Sequence, residues 1–299
     1  MKKVIFFGSE GYIGSHLVNQ LLSKNFQVFA YDINEEPITS KVINYQKIDI
    51  TDLSQLEKID FNVDYVYYFA GVTGTNVSIN NYNKFIDVNE KGLLNILILI
   101  KNKKVLPKII FPSTRLVYKG VKDIPLTEDA RQEFKTIYAL NKFHNETVLK
   151  MFKTYYNIPY TVFRICVPYG NMLNNNYSYG TIGFFLNKAK NNEAITLYAD
   201  GELKRTFTYV GDICNQILEI STLKISNGEV YNIGGETYSL KEVATMVANK
   251  FKVNVKYIDW PELALQQESG DTIFNSQKIE KICGNKYFSL ASWINNINT

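Results

Sequence analysis

The chain has 299 residues, 45% of them hydrophobic, which is enough apolar material for one large domain and a smaller one. Its 33 Lys and Arg against 29 Asp and Glu leave a net charge of +4 without a basic run, which argues against binding to nucleic acid or to a membrane surface. The three cysteines are odd in number and far apart, so we expect reduced thiols in the cytoplasm, with no disulfide framework and no metal site.

Apolar strand patterns alternate with helical patterns through the first half of the chain. Ile13, Leu17 and Leu21, for example, fall on one face of a helix that follows the first strand. Continuous apolar strands separated by amphipathic helices predict an α/β fold, a doubly wound parallel sheet of the Rossmann type that binds ligands at the carboxyl ends of its strands. The predicted strands are 4–7, 27–31, 43–50, 64–70, 108–113 and 160–166.

The most hydrophobic stretch of the chain is the run at 93–100. A helix that spans a bilayer needs roughly 20 apolar residues. We therefore interpret this run as part of a buried helix and expect no membrane partner.

The alternating pattern loosens after about residue 166, where an Asn- and Tyr-rich stretch at 171–180 predicts a loop. We predict a first domain over 1–166, with residues of about 207–234 packing back onto it. The remainder, 167–299, is predicted to form a smaller domain that faces the substrate.

Three glycines, Gly8, Gly11 and Gly14, follow the first strand and open the first helix with the spacing GxxGxxG. Such a turn brings backbone amides and a helix N-terminus close to a pyrophosphate group. Asp32 ends the next strand, 18 residues after Gly14, where a carboxylate suits the adenosine ribose hydroxyls and repels a 2′-phosphate. No Arg or Lys follows before Lys41. We therefore predict that the first domain binds NAD rather than NADP.

Tyr138 and Lys142 are four residues apart in a helical pattern, so their side chains share one face of the helix. A phenol with a pKa of about 10 is a poor base at neutral pH. A nearby ammonium and the positive nicotinamide ring favour the phenolate and bring it toward working range. Thr114 can form a hydrogen bond with the hydroxyl that is oxidised. These three residues are therefore the predicted catalytic triad.

The motifs resemble those of the extended short-chain dehydrogenase/reductase family, in particular its nucleotide-sugar epimerases, dehydratases and reductases, such as UDP-glucose 4-epimerase-like enzymes. The likeness runs along nearly the whole chain. The matching segments are the glycine turn at 8–14, the Asp-hydrophobic pair at 49–50, and the segments 69–71, 89–92, 113–118, 164–170 and 205–212.

The resemblance implies the residues that contact each ligand. The substrate is expected to be a nucleotide-diphosphate sugar, whose contacts come from Thr114, Arg115, Tyr138 and Arg205, with the Arg205 guanidinium on the diphosphate. Arg115 is expected to face either the sugar or solvent. The implied cofactor contacts are Gly8, Gly11, Tyr12, Ile13, Gly14, Asp32, Asp49, Ile50, Ala70, Gly71, Thr73, Tyr138 and Lys142.

Two positions depart from the family pattern. The sugar 4,6-dehydratases of the family carry Asp-Glu after the catalytic Thr, and related decarboxylases use a glutamate there. This chain has Arg115 and Leu116 instead, so we expect neither dehydration nor decarboxylation. Val167 replaces the usual asparagine of the strand-six segment, which puts the diphosphate contact of that position in doubt.

The leading hypothesis is an NAD-dependent nucleotide-sugar 4-epimerase that oxidises the sugar transiently at C4 through the triad. The alternative is a nucleotide-4-keto-6-deoxysugar reductase that uses NAD(P)H with the same residues, which the short chain and Val167 favour and Asp32 disfavours. A non-catalytic NAD(H) sensor on this fold is a third hypothesis, which the intact triad disfavours. The family also implies a role in polysaccharide biosynthesis and a homodimer through a four-helix contact of the helices near 82–101 and 136–153.

Overall fold

A computed structural model describes residues 1–37, 44–74, 79–173 and 179–298. These residues form two compact units, each with its own hydrophobic core. The first unit comprises Met1–Val117, Thr136–Arg164 and Ile217–Tyr231, and the second comprises Tyr118–Lys135, Ile165–Gln216 and Asn232 onward.

The chain passes between the units more often than the predicted domains allow. Residues 118–135, assigned by prediction to the first domain, belong to the second unit. Of the returning segment predicted at 207–234, residues 217–231 belong to the first unit. Periodicity identifies helices and strands but does not show which core a short connecting segment joins.

The strands and helices alternate along the first half of the chain, as predicted. The described strands are β1 Lys3–Phe7, β2 Gln27–Asp32, β3 Asn44–Lys47, β4 Tyr65–Tyr68, β5 Lys108–Thr114, β6 Tyr160–Ile165, β7 Val167–Tyr169, β8 Ile195–Tyr198, β9 Lys204–Tyr209, β10 Glu229–Asn232, β11 Glu236–Ser239 and β12 Val255–Ile258. The described α-helices are α1 Tyr12–Ser23, α2 Leu53–Leu56, α3 Tyr82–Phe85, α4 Gly92–Ile100, α5 Ile137–Tyr156, α6 Gly180–Lys190, α7 Val210–Ser221, α8 Leu240–Phe251, α9 Glu262–Gln267, α10 Gln277–Cys283 and α11 Leu290–Asn295.

The central sheet has seven strands in the order β10-β6-β5-β4-β1-β2-β3. The ladders that join β3, β2, β1, β4 and β5 are parallel. Every residue of β4 and β5 is buried, which explains the apolar runs at 65–68 and 109–111. The chain order reverses between β1 and β4, and doubly wound sheets bind ligands at the carboxyl ends of strands beside such a reversal. The predicted α/β fold is confirmed.

Some boundaries differ from the prediction. The strand predicted at 43–50 is shorter, Asn44–Lys47, and residue 43 lies outside the described residues. The helix predicted near 82–101 is three segments, because a six-residue π-helix, Ile86–Lys91, separates α3 from α4. The loop predicted at 171–180 lies partly outside the described residues.

The second unit contains a three-stranded sheet in the order β11-β9-β7 and a parallel pair, β8 with β12. Its core includes Val167, which is 6% exposed, together with side chains of α6, α8 and α11. A buried apolar environment explains why this position accommodates valine. Across the described parts of both units, no helix has the length and hydropathy needed to cross a membrane.

Candidate cofactor and active site

The glycine turn follows β1 directly and comes into close contact with the end of β4. Gly8 has φ = +82°, and a Cβ on it would lie 2.4 Å from the backbone nitrogen of Ala70. A Cβ on Gly14 would lie 2.0 Å from the carbonyl oxygen of Gly8. No larger side chain fits either position without moving backbone. The spacing of the motif therefore reflects a real packing requirement at the β1–β4 reversal.

The first helix presents a polar N-terminus at this turn. Gly11 is the N-cap of the 12-residue helix α1 and provides no side-chain hydrogen bond to it. The first turn also lacks an acidic residue, which would compete for the positive end of the helix dipole. Such an end suits the pyrophosphate of a dinucleotide.

A cleft of 730 Å³ opens at the carboxyl ends of β1, β2 and β4. Seven of the predicted cofactor residues line it: Gly8, Gly11, Asp32, Asp49, Ile50, Ala70 and Gly71. Phe69, from the recognised segment 69–71, also lines the cleft. Sequence reasoning did not single out the other ten lining residues, which are Glu10, Tyr31, Ile33, Asn34, Ile48, Thr51, Val72, Lys84, Asp87 and Val88. Most of these adjoin a recognised motif in the sequence. No motif marked Lys84 of α3, or Asp87 and Val88 of the π-helix, as cofactor contacts.

Asp32 ties the glycine turn to the end of β2. Its Oδ2 accepts a hydrogen bond from the Glu10 backbone N–H at 2.9 Å, and its Oδ1 accepts one from Ile33 at 2.8 Å. Three carboxylates lie near Tyr45 in this corner: burial, and then the negative charges of Asp32, Glu10 and Glu35, raise the pKa of Tyr45 to about 12. A concentration of negative charge suits ribose hydroxyls and disfavours a 2′-phosphate. The groups present therefore fit NAD.

The remaining predicted cofactor residues are not in the wall of this cleft. Tyr12 and Ile13 are half-buried in the first turn of α1, next to Gly14, and Thr73 is exposed. Tyr138 and Lys142 lie on α5. Cofactor contacts by these residues stay predictions.

Lys142 is the centre of the candidate catalytic cluster. Its Nζ donates to the Pro112 carbonyl at 2.9 Å and lies 4.7 Å from the centroid of the Phe111 ring and 5.8 Å from that of Tyr138. Burial lowers the pKa of Lys142 to about 8, and the negative charge of Glu146 acts in the opposite direction. The structure therefore brings Tyr138 and Lys142 together, as their spacing predicts.

Local structure explains the placement of Tyr138. The Thr136 hydroxyl caps α5 by accepting the Ala139 N–H at 3.1 Å, so the helix begins at Ile137 and Tyr138 lies in its first turn. Thr114 ends β5 and is 7% exposed, and its Oγ1 accepts the Leu116 N–H at 3.3 Å.

Arg115 begins a 3₁₀ turn, Arg115–Val117, directly after Thr114, and is half-buried. The same unit of the structure thus holds all three triad residues and this arginine. A contact between Arg115 and a sugar stays a prediction.

Asn89 in the π-helix holds the strand-four segment of the cleft. Its Oδ1 accepts the Val72 N–H at 2.9 Å and its Nδ2 donates to the Val72 carbonyl at 3.1 Å. Asn145 of α5 donates to the Asn89 carbonyl at 2.6 Å. One buried asparagine therefore connects the cleft with α5, the helix that carries Tyr138 and Lys142. Local distortions of this kind are frequent at functional sites.

Arg205, the predicted diphosphate ligand, lies on β9 in the second unit and is 2% exposed. Its guanidinium pairs with Glu268 at 2.6 Å and donates to the Gly270 carbonyl at 2.6 Å. These partners occupy the group within its own unit, so its role toward a diphosphate stays a prediction. Across the described residues, no group of three or more His, Cys, Asp or Glu is arranged to hold a metal ion.

The sequence matches known proteins along most of its length. A family model described as the NAD dependent epimerase/dehydratase family matches residues 4–234. The chain is 29% identical over 254 residues to a putative UDP-glucose 4-epimerase of Methanocaldococcus jannaschii, covering 83% of this chain and 82% of that protein. It is 30% identical to a UDP-N-acetyl-alpha-D-glucosaminuronate decarboxylase of Bacillus cytotoxicus, covering 98% and 94% of the two chains. A dTDP-4-dehydro-6-deoxyglucose reductase of Escherichia coli is 28% identical, with coverage of 85% and 83%.

The fold also matches solved structures. The UDP-glucose 4-epimerase of Thermus thermophilus in complex with NAD superposes with a TM-score of 0.85 and 23% identity, over 98% of this chain and 96% of that one. This likeness agrees with the Rossmann-type architecture derived above.

Proposed function

The chain belongs to the NAD-dependent epimerase/dehydratase family, and from this premise we propose that it is an NAD-dependent nucleotide-sugar 4-epimerase. Membership confirms the predicted resemblance and NAD as the cofactor. The observation that carries the finer proposal is the cluster at the end of β5, where the buried Lys142 ammonium lies beside the Tyr138 ring.

In the proposed reaction, the Tyr138 phenolate accepts the proton of the sugar 4-hydroxyl. Thr114 forms a hydrogen bond with that hydroxyl and fixes the position of its oxygen. Lys142 holds the nicotinamide ribose, and its positive charge favours the phenolate over the phenol. NAD, when bound, supplies the oxidation and the later re-reduction at C4. Tyr138 returns the proton to the 4-oxygen after the sugar has turned, so no cofactor is consumed.

The substrate gains its binding energy from the nucleotide and diphosphate in this scheme, which leaves the sugar able to turn. Arg115 and Arg205 remain our proposed substrate contacts. The structure describes Arg205 in its pair with Glu268, so contact with a diphosphate requires that the guanidinium exchange this partner.

A reductase of nucleotide-4-keto-6-deoxysugars is the second candidate. The 28% identity to a reductase with a 4-dehydro-6-deoxy sugar in its name favours it. The acid pair of the family's dehydratases is replaced by Arg115 and Leu116, which disfavours dehydration as an activity of this chain. The carboxylate-rich corner at Asp32 favours the epimerase, which uses NAD without net consumption.

Turnover of UDP-, dTDP-, GDP- and CDP-sugars by the purified protein tests the proposal. The nucleotide retained after purification is first identified by its ultraviolet spectrum and by chromatography of the denatured protein. Formation of the C4 epimer without net change in NADH supports the epimerase. Stoichiometric loss of NAD(P)H with a 4-keto sugar identifies the reductase, and absence of turnover in both assays contradicts both.

Replacing Asp32 with serine together with Ile33→Arg is expected to shift the preference from NAD toward NADP. A hydrogen bond to a charged group contributes about 1.5–3 kcal/mol, so the NAD dissociation constant should rise about 10- to 150-fold. Isothermal titration with both cofactors measures the change, with the exposed Asp60→Ser as control. An unchanged preference would remove Asp32 from the adenosine site.

We also propose a homodimer through a four-helix contact of residues 82–101 and 136–153 from two copies. These segments carry apolar side chains that remain accessible in the first unit, which is typical of interfaces. The side chains are Tyr82, Ile86, Ile98, Leu140 and Met151, with exposures of 42–52%.

A paired substitution tests this dimer. Ile98→Glu with Leu140→Glu is expected to yield a monomer in size-exclusion chromatography with light scattering, because charge would be buried at the contact. Leu53→Glu, on a leucine of α2 that is 40% exposed, should leave the dimer intact. A wild-type monomer at micromolar concentration contradicts the proposal.

We propose a cytoplasmic location, supported by the three free cysteines. A role in polysaccharide biosynthesis is proposed from the family resemblance. Cell fractionation checks the first, and polysaccharide analysis after gene deletion checks the second.

A further inference from the structure

A buried carboxylate, Glu146, lies one helical turn beyond Lys142 on α5. Tyr138, Lys142 and Glu146 follow one another at intervals of four residues, so they project from one face of the helix. Glu146 is 7% exposed, and its partners Arg164 and Ser113 are 2% and 4% exposed. A water-excluded polar network therefore lies directly beside the proposed catalytic residues.

Glu146 joins three elements of the first unit. Ser113 of β5 donates its hydroxyl to Oε1 at 2.5 Å. Arg164 of the neighbouring strand β6 donates Nε to Oε1 at 3.0 Å and Nη2 to Oε2 at 2.6 Å. A paired guanidinium–carboxylate contact fixes orientation as well as distance. Glu146 thus holds α5 against the ends of two adjacent strands.

Lys142 makes a second tie between α5 and β5. Its Nζ binds the Pro112 carbonyl, and the next residue of the strand, Ser113, binds Glu146. Two successive turns of the helix are therefore tied to two successive residues of the strand. Thr114 follows immediately, so both ties adjoin the triad and set the spacing between its helix and its strand.

Lys142 lies near one buried anion and a second buried cation. Glu146 from the same helix is the anion that acts on Lys142, and Arg164 from β6 is a second buried cation behind it. Glu90 of the π-helix lies 3.8 Å from the ring of His144. Loss of the Glu146 charge would leave two cations buried together, which is costly in a site closed to water.

We propose that Glu146 is a positioning residue, which ties the catalytic helix to the end of β5 and balances the buried charge of Lys142. This inference rests on the proposed function, because it assigns a role beside the proposed triad. A residue needed for folding alone would change stability. A positioning residue also changes the rate of turnover and the protonation of Lys142.

Glu146→Gln tests the proposal, because it keeps the size of the side chain and one acceptor oxygen but removes the charge. We expect kcat to fall about 100-fold, the cost of displacing a reacting group by about 1 Å, with a smaller change in KM. Lys142 keeps its proton below its pKa of about 8, so wild-type activity should fall as the pH rises above that value. In the variant this loss should occur about 1 to 3 pH units lower.

A measurement without substrate separates this inference from the proposed function. Nuclear magnetic resonance titration of ¹³C-labelled lysines reads Lys142 directly, with its signal assigned by its absence in Lys142→Met. A lower titration midpoint for Lys142 in Glu146→Gln supports the charge balance, even if the protein turns over no nucleotide sugar. Absence of turnover would contradict the proposed function and leave this inference intact. An unchanged midpoint and pH profile, with only a lower melting temperature, would overturn the inference.

Two further variants complete the test. Ser113→Ala removes one tie without changing charge, so kcat should fall about tenfold with the alkaline limb of the profile unmoved. Ser113→Ala still tests the proposal if Glu146→Gln does not fold. A wild-type kcat in Ser113→Ala would contradict the role of the Ser113–Glu146 hydrogen bond. Glu193→Gln, in an exposed ion pair with Lys188, is the matched control and should leave kcat unchanged.

Discussion

Replacement of Tyr138 by phenylalanine is expected to lower kcat by about 10²- to 10⁴-fold, the usual contribution of a positioned acid–base group. The change removes one hydroxyl and keeps the ring that lies 5.8 Å from the Lys142 Nζ. Tyr138 is half-buried and is not among the residues that line the 730 Å³ cleft. NAD affinity and melting temperature should therefore change little, so that the loss appears in turnover.

Tyr156→Phe is the control for this substitution, because Tyr156 is the last residue of the same helix and is 37% exposed. It should retain wild-type kcat. Lys142→Met is expected to lose turnover to a similar extent, and the double variant should lose little more, because groups that act as a unit are not additive. Turnover of Tyr138→Phe within twofold of wild type would exclude this tyrosine as the base.

The fold was predictable because its signals are periodic and local. Strands such as β4 and β5 are buried on both faces, and a run of apolar residues such as Ile109–Phe111 is the local signal of such burial. The π-helix Ile86–Lys91 was not predicted, because the apolar positions Phe85, Val88 and Leu93 across it are compatible with one continuous α-helix. Residues 118–135 belong to the second unit because of the core they pack against, and the composition of this segment does not predict which core that is.

The candidate site divides in the same way. The glycine turn and the Tyr138–Lys142 pair each depend on spacing within one turn or helix, so the sequence alone identified them. Glu146 and Arg164 belong to separate elements, and only the packing of α5 on β6 brings them together. Arg205 was predicted to contact the diphosphate, and that role stays a prediction. Its ion pair with Glu268 joins residues 63 positions apart, which local reasoning cannot find.

Gly14→Ala is expected to destabilise the first unit severely. The new Cβ would lie 2.0 Å from the Gly8 carbonyl oxygen. This oxygen cannot move away easily, because it belongs to the backbone and Gly8 itself packs against the backbone of Ala70. Overpacking of this kind costs about 3 kcal/mol or more, which corresponds to a fall in melting temperature of roughly 10 °C. Thermal unfolding followed by circular dichroism, without added NAD, measures the loss.

Gly11→Ala is the matched control in the same turn, and it separates backbone packing from ligand approach. Its Cβ would lie 3.4 Å from the Gly8 carbonyl oxygen, an ordinary contact, and its φ of −64° suits alanine. Stability should change by no more than about 1 kcal/mol, the cost of a poorer N-cap. NAD affinity should still fall about tenfold or more, because a methyl group here blocks close approach of the pyrophosphate to the amides. If Gly11→Ala binds NAD as tightly as wild type, the pyrophosphate does not cross this turn. If Gly14→Ala unfolds at the wild-type temperature, α1 does not lie as close to the end of β1 as described.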